Sequence, residues 1–337
     1  MTEKSIINND SILKKYLVYS LMFILGFSLS FLIITLSNTA HKKSERDLRD
    51  RNSTKKFPLI SPLLFCKYGD GIENSQYTSF RFKIESYINK LMSEKKINHV
   101  SVYFRDLNNG PWFGINEDES FSPSSLLKLP LLISALKVAE EDDQNLLNKS
   151  LLYEKSASTS IQYFKPEKNI ELGKKYTITE LLERSIIYSD NESSILIYKE
   201  LGDNNLIKTY IDLGLISPDA KRDFVMNVKE YSSFFRALFN SSYISKENSE
   251  SALELLTSTK FDKGLRAGIP NSITVAHKFG EQISSNNELQ LHDCGIIYAP
   301  NRPYILCIMT RGNNFDELAN IIKNISETVF QGVTKEN

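Results

Sequence analysis

Cysteine is scarce in this chain. Cys66, Cys294 and Cys307 are spread over 337 residues, too few and too scattered for a disulfide framework, and with the four histidines they show no zinc-ligand spacing. Cys294 and Cys307 lie in apolar, strand-like runs, where a buried thiol is the expectation. No metal and no cofactor is expected. Net charge is lacking too. The 41 Lys plus Arg balance 41 Asp plus Glu, so no overall field would gather a polyanion, and nucleic acid is not an expected partner. There is no internal repeat. The absence of a Gly-x-Ser-x-Gly elbow removes the nucleophile that a triad built on His292 and Asp293 would need. What is present is 41% hydrophobic residues, enough for a substantial core in one large domain or two ordinary ones.

Tyr16 to Leu36 carries no charged residue, long enough to cross a bilayer as a helix of about 20 residues. The length of the run and the lack of a small-x-small cleavage site favour an uncleaved anchor over residues 16–36, behind a short tail at 1–15. Lys4, Lys14 and Lys15 precede the run, whereas Lys42, Lys43, Arg46, Arg49, Arg51, Lys55 and Lys56 follow it. By the positive-inside rule the second flank belongs in the cytoplasm. Residues 37–78, with Pro58 and Pro62 and no sustained period, read as a linker or stalk. The folded domain is expected over 79–333.

That domain opens with a helix from about Ser79 to Lys95, whose apolar face is expected to carry Phe82, Ile84, Tyr87, Ile88, Leu91 and Met92. Val100, Val102 and Phe104 alternate with polar residues, and Asn109 with Gly110 supplies a hairpin turn before Trp112 and Phe113. A mostly helical middle follows. Thr177 with Glu180, and Asn227 with Glu230, read as capping boxes. Strands return at Ile273–Phe279, Leu291–Ala299 and Tyr304–Thr310, and a last helix runs from about Phe315 to Phe330. The pattern predicts an α/β chain of the α+β type: one antiparallel sheet formed by N- and C-terminal segments, flanked by helices, with an all-helical subdomain inserted.

The stretch Glu119 to Leu131 holds the first candidate chemistry. If the run from Pro123 onward is a helix, Ser125 and Lys128 stand one turn apart on one face, so hydroxyl and amine can meet. Serine is a poor nucleophile near neutral pH, and an amine that sheds its proton through desolvation is one of the few groups able to activate it. Ser-x-x-Lys also occurs at Ser11/Lys14, Ser53/Lys56 and Ser93/Lys96, so the pair by itself could be an ordinary helix start with an exposed lysine. Ser189, Asp190 and Asn191 end an apolar helix, where all three residue types also serve as caps. Lys278, Phe279 and Gly280 close a strand, and the neighbouring His277 reads as structural.

In this order the three motifs resemble those of class A β-lactamases and penicillin-binding D,D-peptidases: Ser-x-x-Lys, then Ser-Asp-Asn, then a Lys-Thr-Gly-like triplet on a late strand. The intervals of 64 and 89 residues between Ser125, Ser189 and Lys278 are of the same kind, and Gly264 to Pro270 and Asp293 to Arg311 look like the same family. The resemblance implies that Ser125 attacks an amide carbonyl and that Lys128 takes its proton. It further implies that Ser189 relays a proton to the departing nitrogen with Lys278 nearby, and that Asn191 holds substrate and Lys128. Gly280 would border the substrate, and the backbone N–H groups of Ser125 and Glu281 would form an oxyanion hole.

Two departures stand out. No Glu-x-x-Leu-Asn loop, the source of the glutamate that activates the deacylating water, occurs between Asn191 and Lys278, an interval shorter than is usual for the family. Glu230, the nearest acidic candidate, reads as a helix cap. Phe279 also stands where the family has a threonine that binds the substrate carboxylate; Arg266 or Arg311 could supply that charge or be surface residues. The expectation is therefore a serine hydrolase that acylates at Ser125 with a β-lactam or an acyl-D-Ala-D-Ala amide of the peptidoglycan-stem type and deacylates slowly. It would be single-pass in the cytoplasmic membrane through residues 16–36, with its catalytic domain on the outer side, against the flanking charges. The alternative is a non-catalytic cell-surface or peptidoglycan-binding module on the same fold.

Overall fold

A computed structural model of the chain describes residues 19, 58–60, 77–108, 110–141, 145–158, 161–216, 224–284 and 287–335. The chain divides into two units, Met1–Lys56 and Phe57–Asn337. In the first, Tyr19 alone is described, helical and exposed; the anchor expected at 16–36 otherwise lies outside the described residues. Among those residues no helix is long and apolar enough to cross a membrane.

In the second unit the alternation of the last strand explains the architecture. Along Tyr304–Gly312 every residue except Arg311 is buried. Tyr304, Leu306 and Ile308 join one apolar cluster, and Ile305, Cys307 and Met309 join another. Successive side chains of a strand point to opposite faces, so a strand apolar on both must lie inside a sheet covered on both sides. The strands β1 (His99–Asp106), β2 (Trp112–Ile115), β5 (Val275–Ile283), β6 (Leu289–Ile297) and β7 (Tyr304–Gly312) form that sheet. Its order is β2-β1-β7-β6-β5, with every neighbouring pair antiparallel. The two early strands and the three late ones thus meet at β1–β7, as the sequence predicts.

Helices α1 (Thr78–Ser93) and α7 (Phe315–Lys335) cover one face. On α7 the buried Phe315, Leu318, Ile322, Ile325 and Val329 recur at helical spacing, a stripe that supplies most of the helix's stability through packing. On α1 the buried residues are Phe80, Ile84, Ile88 and Leu91, while Phe82 and Met92 are exposed. Phe82 lies two positions from both Phe80 and Ile84, so it points away from the stripe at about 100° per residue. The other face receives the helical insert: α2 (Lys128–Glu141), α3 (Ile178–Ile187), α4 (Asn191–Asp212), α5 (Val228–Phe239) and α6 (Lys246–Thr257), with a two-stranded ribbon of β3 (Ser150–Leu152) and β4 (Lys175–Thr177). Both expected capping boxes are present. Thr177 caps α3 with Glu180, and Asn227 caps α5 with Glu230, so Glu230 is held at a helix start.

Two features differ from the sequence reading. Cys294 and Cys307 are directly opposed on β6 and β7 and joined as a disulfide, with Cα atoms 4.0 Å apart. The thiol expectation fails because pairing is set by strand register, which spacing along the chain does not display. The stretch expected as linker also touches the domain. The Glu250 carboxylate accepts the N–H groups of Leu59 (2.9 and 3.0 Å) and Ile60 (3.1 Å), Tyr298 donates to the Leu59 carbonyl at 2.8 Å, and Ile60 is buried.

Candidate active site

Pro123 is followed not by an α-helix but by a 3-10 turn, Ser124–Leu127, which passes into α2 at Lys128. The correction preserves the alignment the sequence suggests, because residues three apart eclipse one another in a 3-10 turn. Ser125 is partly exposed and Lys128 is buried. Tyr231, on α5, donates to the Leu126 carbonyl at 2.9 Å and ties the turn to the helical insert.

The Lys128 amine has three acceptors within hydrogen-bond reach: the Ser189 carbonyl at 2.6 Å, Ser189 Oγ at 3.1 Å and Asn191 Oδ1 at 2.7 Å. None of these is Ser125. Ser189 sits between α3 and α4 with φ +59°, a left-handed conformation rare for a residue with a side chain and concentrated at functional sites. That conformation directs both Ser189 oxygens at Lys128. Asp190 does structural work: its carboxylate caps α4 by accepting the Ser193 N–H at 2.9 Å. From the sheet side Lys278 Nζ donates to Ser189 Oγ at 3.0 Å and to the Phe279 carbonyl at 3.0 Å. Ser189 Oγ therefore lies within hydrogen-bond distance of both amines, which joins the helical wall of the cleft to its sheet wall.

β5 is an edge strand, and its outward row of backbone groups faces this cleft. Thr259 Oγ1 donates to the His277 carbonyl, Lys278 to the Phe279 carbonyl, and Ser124 Oγ to the Glu281 carbonyl. In an antiparallel ladder the N–H and C=O of one residue point to the same side, so the Glu281 N–H also faces the Ser124–Leu127 turn. Gly280 permits this approach. A Cβ there would stand 2.9 Å from the Pro123 carbonyl oxygen and 3.0 Å from the Leu126 nitrogen, closer than backbone atoms allow.

Burial governs the charges. It drives the Lys128 amine well below its ordinary pKa, helped by the positive Lys278 and opposed by Asp190 and Glu281. It brings Lys278 down to about 7, against the pull of Asp293 and Glu281. Taking an ammonium out of water disfavours its charged form. The ring of Phe279 stacks on Phe261, with centroids 4.1 Å apart, and lies 4.4 Å from Lys278 Nζ. Both arginines considered as replacements for the missing hydroxyl have partners of their own: Arg311 binds Glu119 at 2.9 Å and the Ser120 carbonyl, and Arg266 binds Asn271 at 2.9 Å and the Ile269 carbonyl at 3.1 Å. His277 is buried against Asp293 at 2.9 Å, and His292 against the Ser122 carbonyl at 3.0 Å. His292 and Asp293, adjacent on β6, face opposite sides of the sheet, so they do not form the His–Asp half of a triad.

Sequence reasoning missed one component. Residues 161–164 lie across the cleft. Gln162 Nε2 donates to the Ser189 carbonyl at 3.2 Å, and the Tyr163 and Phe164 N–H groups donate to the Glu281 carboxylate at 3.2 and 3.1 Å. Tyr163 also donates to Asp316 at 2.7 Å. The adjacent aromatics Tyr163 and Phe164, in a polar and irregular stretch, were the one available signal.

The fold has counterparts among known proteins. β-Lactamase ROB-1 of Haemophilus influenzae is 32% identical over 103 residues, which is 31% of this chain and 32% of that protein. The chain thus spans about a third of the length of the curated relatives it matches. Among solved structures, PBP-A superimposes with a TM-score of 0.62 at 21% identity, covering 75% of this chain and 96% of that one. A β-lactamase from Chitinophaga pinensis superimposes with a TM-score of 0.65 at 18% identity, covering 74% and 99%. The model of the β-lactamase enzyme family matches residues 83–333, most of the folded unit and all of the cleft, and the chain belongs to that family.

Proposed function

We propose that this protein is a serine acyl-transfer hydrolase whose nucleophile is Ser125 and whose substrate is a β-lactam or an acyl-D-Ala-D-Ala-type amide. The observation that carries the reading is Ser189 Oγ within hydrogen-bond distance of both buried amines, 3.1 Å from Lys128 and 3.0 Å from Lys278. Such an array can move a proton from one side of a scissile bond to the other. As Ser125 Oγ bonds to the carbonyl carbon, its proton passes to Lys128, whose burial favours the neutral amine that can accept it. The C–N bond opens, Lys278 protonates Ser189, and Ser189 passes its proton to the departing nitrogen. The N–H groups of Ser125 and Glu281 are the donors for the developing oxyanion, each worth roughly 3 to 4 kcal/mol in comparable sites.

Deacylation is the slow half in this reading. Glu230 is engaged in its capping box, and the Glu192 carboxylate accepts the N–H groups of Ala157 and Ser158 at 3.0 and 2.9 Å. A mutant of PBP-A, a neighbour in fold, is seen as an acyl-enzyme complex with penicillin G. The domain is assigned to the outer side of the membrane, held by an anchor at residues 16–36; the Cys294–Cys307 disulfide supports an oxidising compartment. A second reading, a cell-surface or peptidoglycan-binding module without chemistry, is favoured by Phe279 in place of a hydroxyl. Intact-protein mass spectrometry after incubation with benzylpenicillin separates the two. The enzyme reading expects one adduct that Ser125→Ala abolishes and that persists after excess ligand is removed. No adduct, or equal labelling of Ser125→Ala, favours the binding module.

A further inference from the structure

Residues 161–164 join no helix or strand, yet they bond to both residues that must flank a scissile amide on the acyl-transfer reading. One is Ser189, which passes a proton to the leaving nitrogen, and the other is Glu281, whose N–H meets the oxyanion. We infer that this segment is a strap that closes the cleft in the free protein and that the Glu281 side chain is its latch: a substrate reaches Ser125 only when the Tyr163 and Phe164 N–H groups let go of that carboxyl group. Access to the site is thereby regulated, provided that Ser125 is the acylated residue.

On the helical wall, Gln162 Nε2 donates to the Ser189 carbonyl at 3.2 Å, the same oxygen that accepts the Lys128 amine at 2.6 Å. On the sheet wall, Glu281 Oε2 accepts the Tyr163 N–H at 3.2 Å and the Phe164 N–H at 3.3 Å, and Oε1 accepts the Phe164 N–H at 3.1 Å. One oxygen can serve both donors, and a protonated carboxyl group keeps one such acceptor, so the latch does not depend on the charge of Glu281. Outside the cleft the Tyr163 hydroxyl donates to Asp316 at 2.7 Å, and its ring stacks on Phe315 with centroids 4.9 Å apart. The Phe164 ring packs edge-on against Phe261 at 5.0 Å. These ties seat the strap on both walls, but they are few. Ile161 is 82% exposed and Tyr163 51%, so lifting this part of the chain uncovers little apolar surface. A segment held by a handful of accessible bonds opens locally long before the fold does.

The test uses the full-length protein and two mass-spectrometric readouts: hydrogen–deuterium exchange of the 161–164 amides, and the rate of adduct formation at Ser125 with benzylpenicillin. Glu281→Ala removes the latch and keeps the backbone N–H. Exchange of the segment and the acylation rate should both rise about tenfold, as expected for loss of two hydrogen bonds to one acceptor group. Tyr163→Phe cuts only the tie to Asp316 and leaves the charges near Lys128 and Lys278 as they are; it should move both rates in the same direction by about threefold. If Glu281→Ala does not fold, Tyr163→Phe decides alone. Faster exchange with acylation unchanged or slowed would make the segment a fixed wall rather than a gate and overturns the inference, as does unchanged exchange in the deciding variant. If neither the wild type nor a variant forms an adduct, the acyl-transfer reading falls and exchange alone judges the latch: faster exchange in the deciding variant supports it, and equal exchange overturns it.

Discussion

Lys278 is fully buried in the candidate active site, and its titration follows from that. Its pKa in the fold is about 7 against an ordinary 10.5, because burial disfavours the ammonium. Between those two values the unfolded chain carries a proton that the folded chain lacks, so stability rises with pH across the window; below about 7 both states are protonated and the contribution is flat. Urea unfolding of wild type and Lys278→Met at pH 7.5 and 9.5 should therefore show the wild type gaining on the variant by up to about 1.4 kcal/mol per pH unit. A stability gap constant with pH would mean that the amine stays charged in the fold. At this scale the sequence was informative about identity and less so about contacts. Ser125, Lys128, Ser189, Asn191 and Lys278 were all legible from motif order, and the structure gathers Lys128, Ser189, Asn191 and Lys278 into one hydrogen-bonded cluster beside the Ser125 turn. That the Lys128 amine faces Ser189 rather than Ser125 was not legible, because the positive φ of Ser189 aims those oxygens and no residue pattern encodes it. The Glu281 side chain was missed for a related reason: its partners Tyr163 and Phe164 lie 118 and 117 residues away.

Helices and strands were easier to read than the links between them. The capping boxes at Thr177/Glu180 and Asn227/Glu230 were visible because both partners lie within one turn, and each is present. The strands were visible through alternation, although β5 extends to Ile283, beyond the expected end at Phe279, because Gly280 and Glu281 continue pairing with His292 and Leu291. The 3-10 turn at Ser124–Leu127 was not visible, since Ser124 adopts φ +49° where a helix would require a negative value. Nor was the β6–β7 disulfide, which joins positions 13 residues apart. Closing a loop of that length restricts the unfolded chain, and its removal from a buried site is expected to cost about 2 to 4 kcal/mol. Cys294→Ala/Cys307→Ala should lower the urea midpoint accordingly while leaving the proposed Ser125 reaction with benzylpenicillin within a few-fold of wild type, because, although Cys294 is the cross-strand partner of Lys278, the Lys278 amine is held by Ser189 Oγ and the Phe279 carbonyl and not by the bridge. Loss of reactivity without loss of stability would show instead that the bridge shapes the cleft.

On the scale of the whole molecule two signals oppose each other. The seven basic residues from Lys42 to Lys56, against Lys4, Lys14 and Lys15 before the apolar run, would retain the following segment in the cytoplasm. The buried disulfide favours an oxidising compartment, and the β-lactam or stem-peptide substrate proposed above is met outside the cytoplasmic membrane. The flank bias acts during insertion, when positive charge resists translocation, but long domains cross largely regardless of it. The disulfide bears on the finished product, and the proposed outer placement follows it. Protease added to spheroplasts expressing the full chain should therefore cut the segment between the apolar run and Pro58 and release a soluble fragment containing the folded unit. The Glu250 clamp on Leu59 and Ile60 protects the fragment's start from trimming, and the clamp can be checked by the N-terminal sequence of the fragment and by its shortening in Glu250→Gln. A chain that remains full-length until the membrane is lysed would place the domain in the cytoplasm, and with it would fall both the cell-wall substrate and the oxidised state of Cys294 and Cys307.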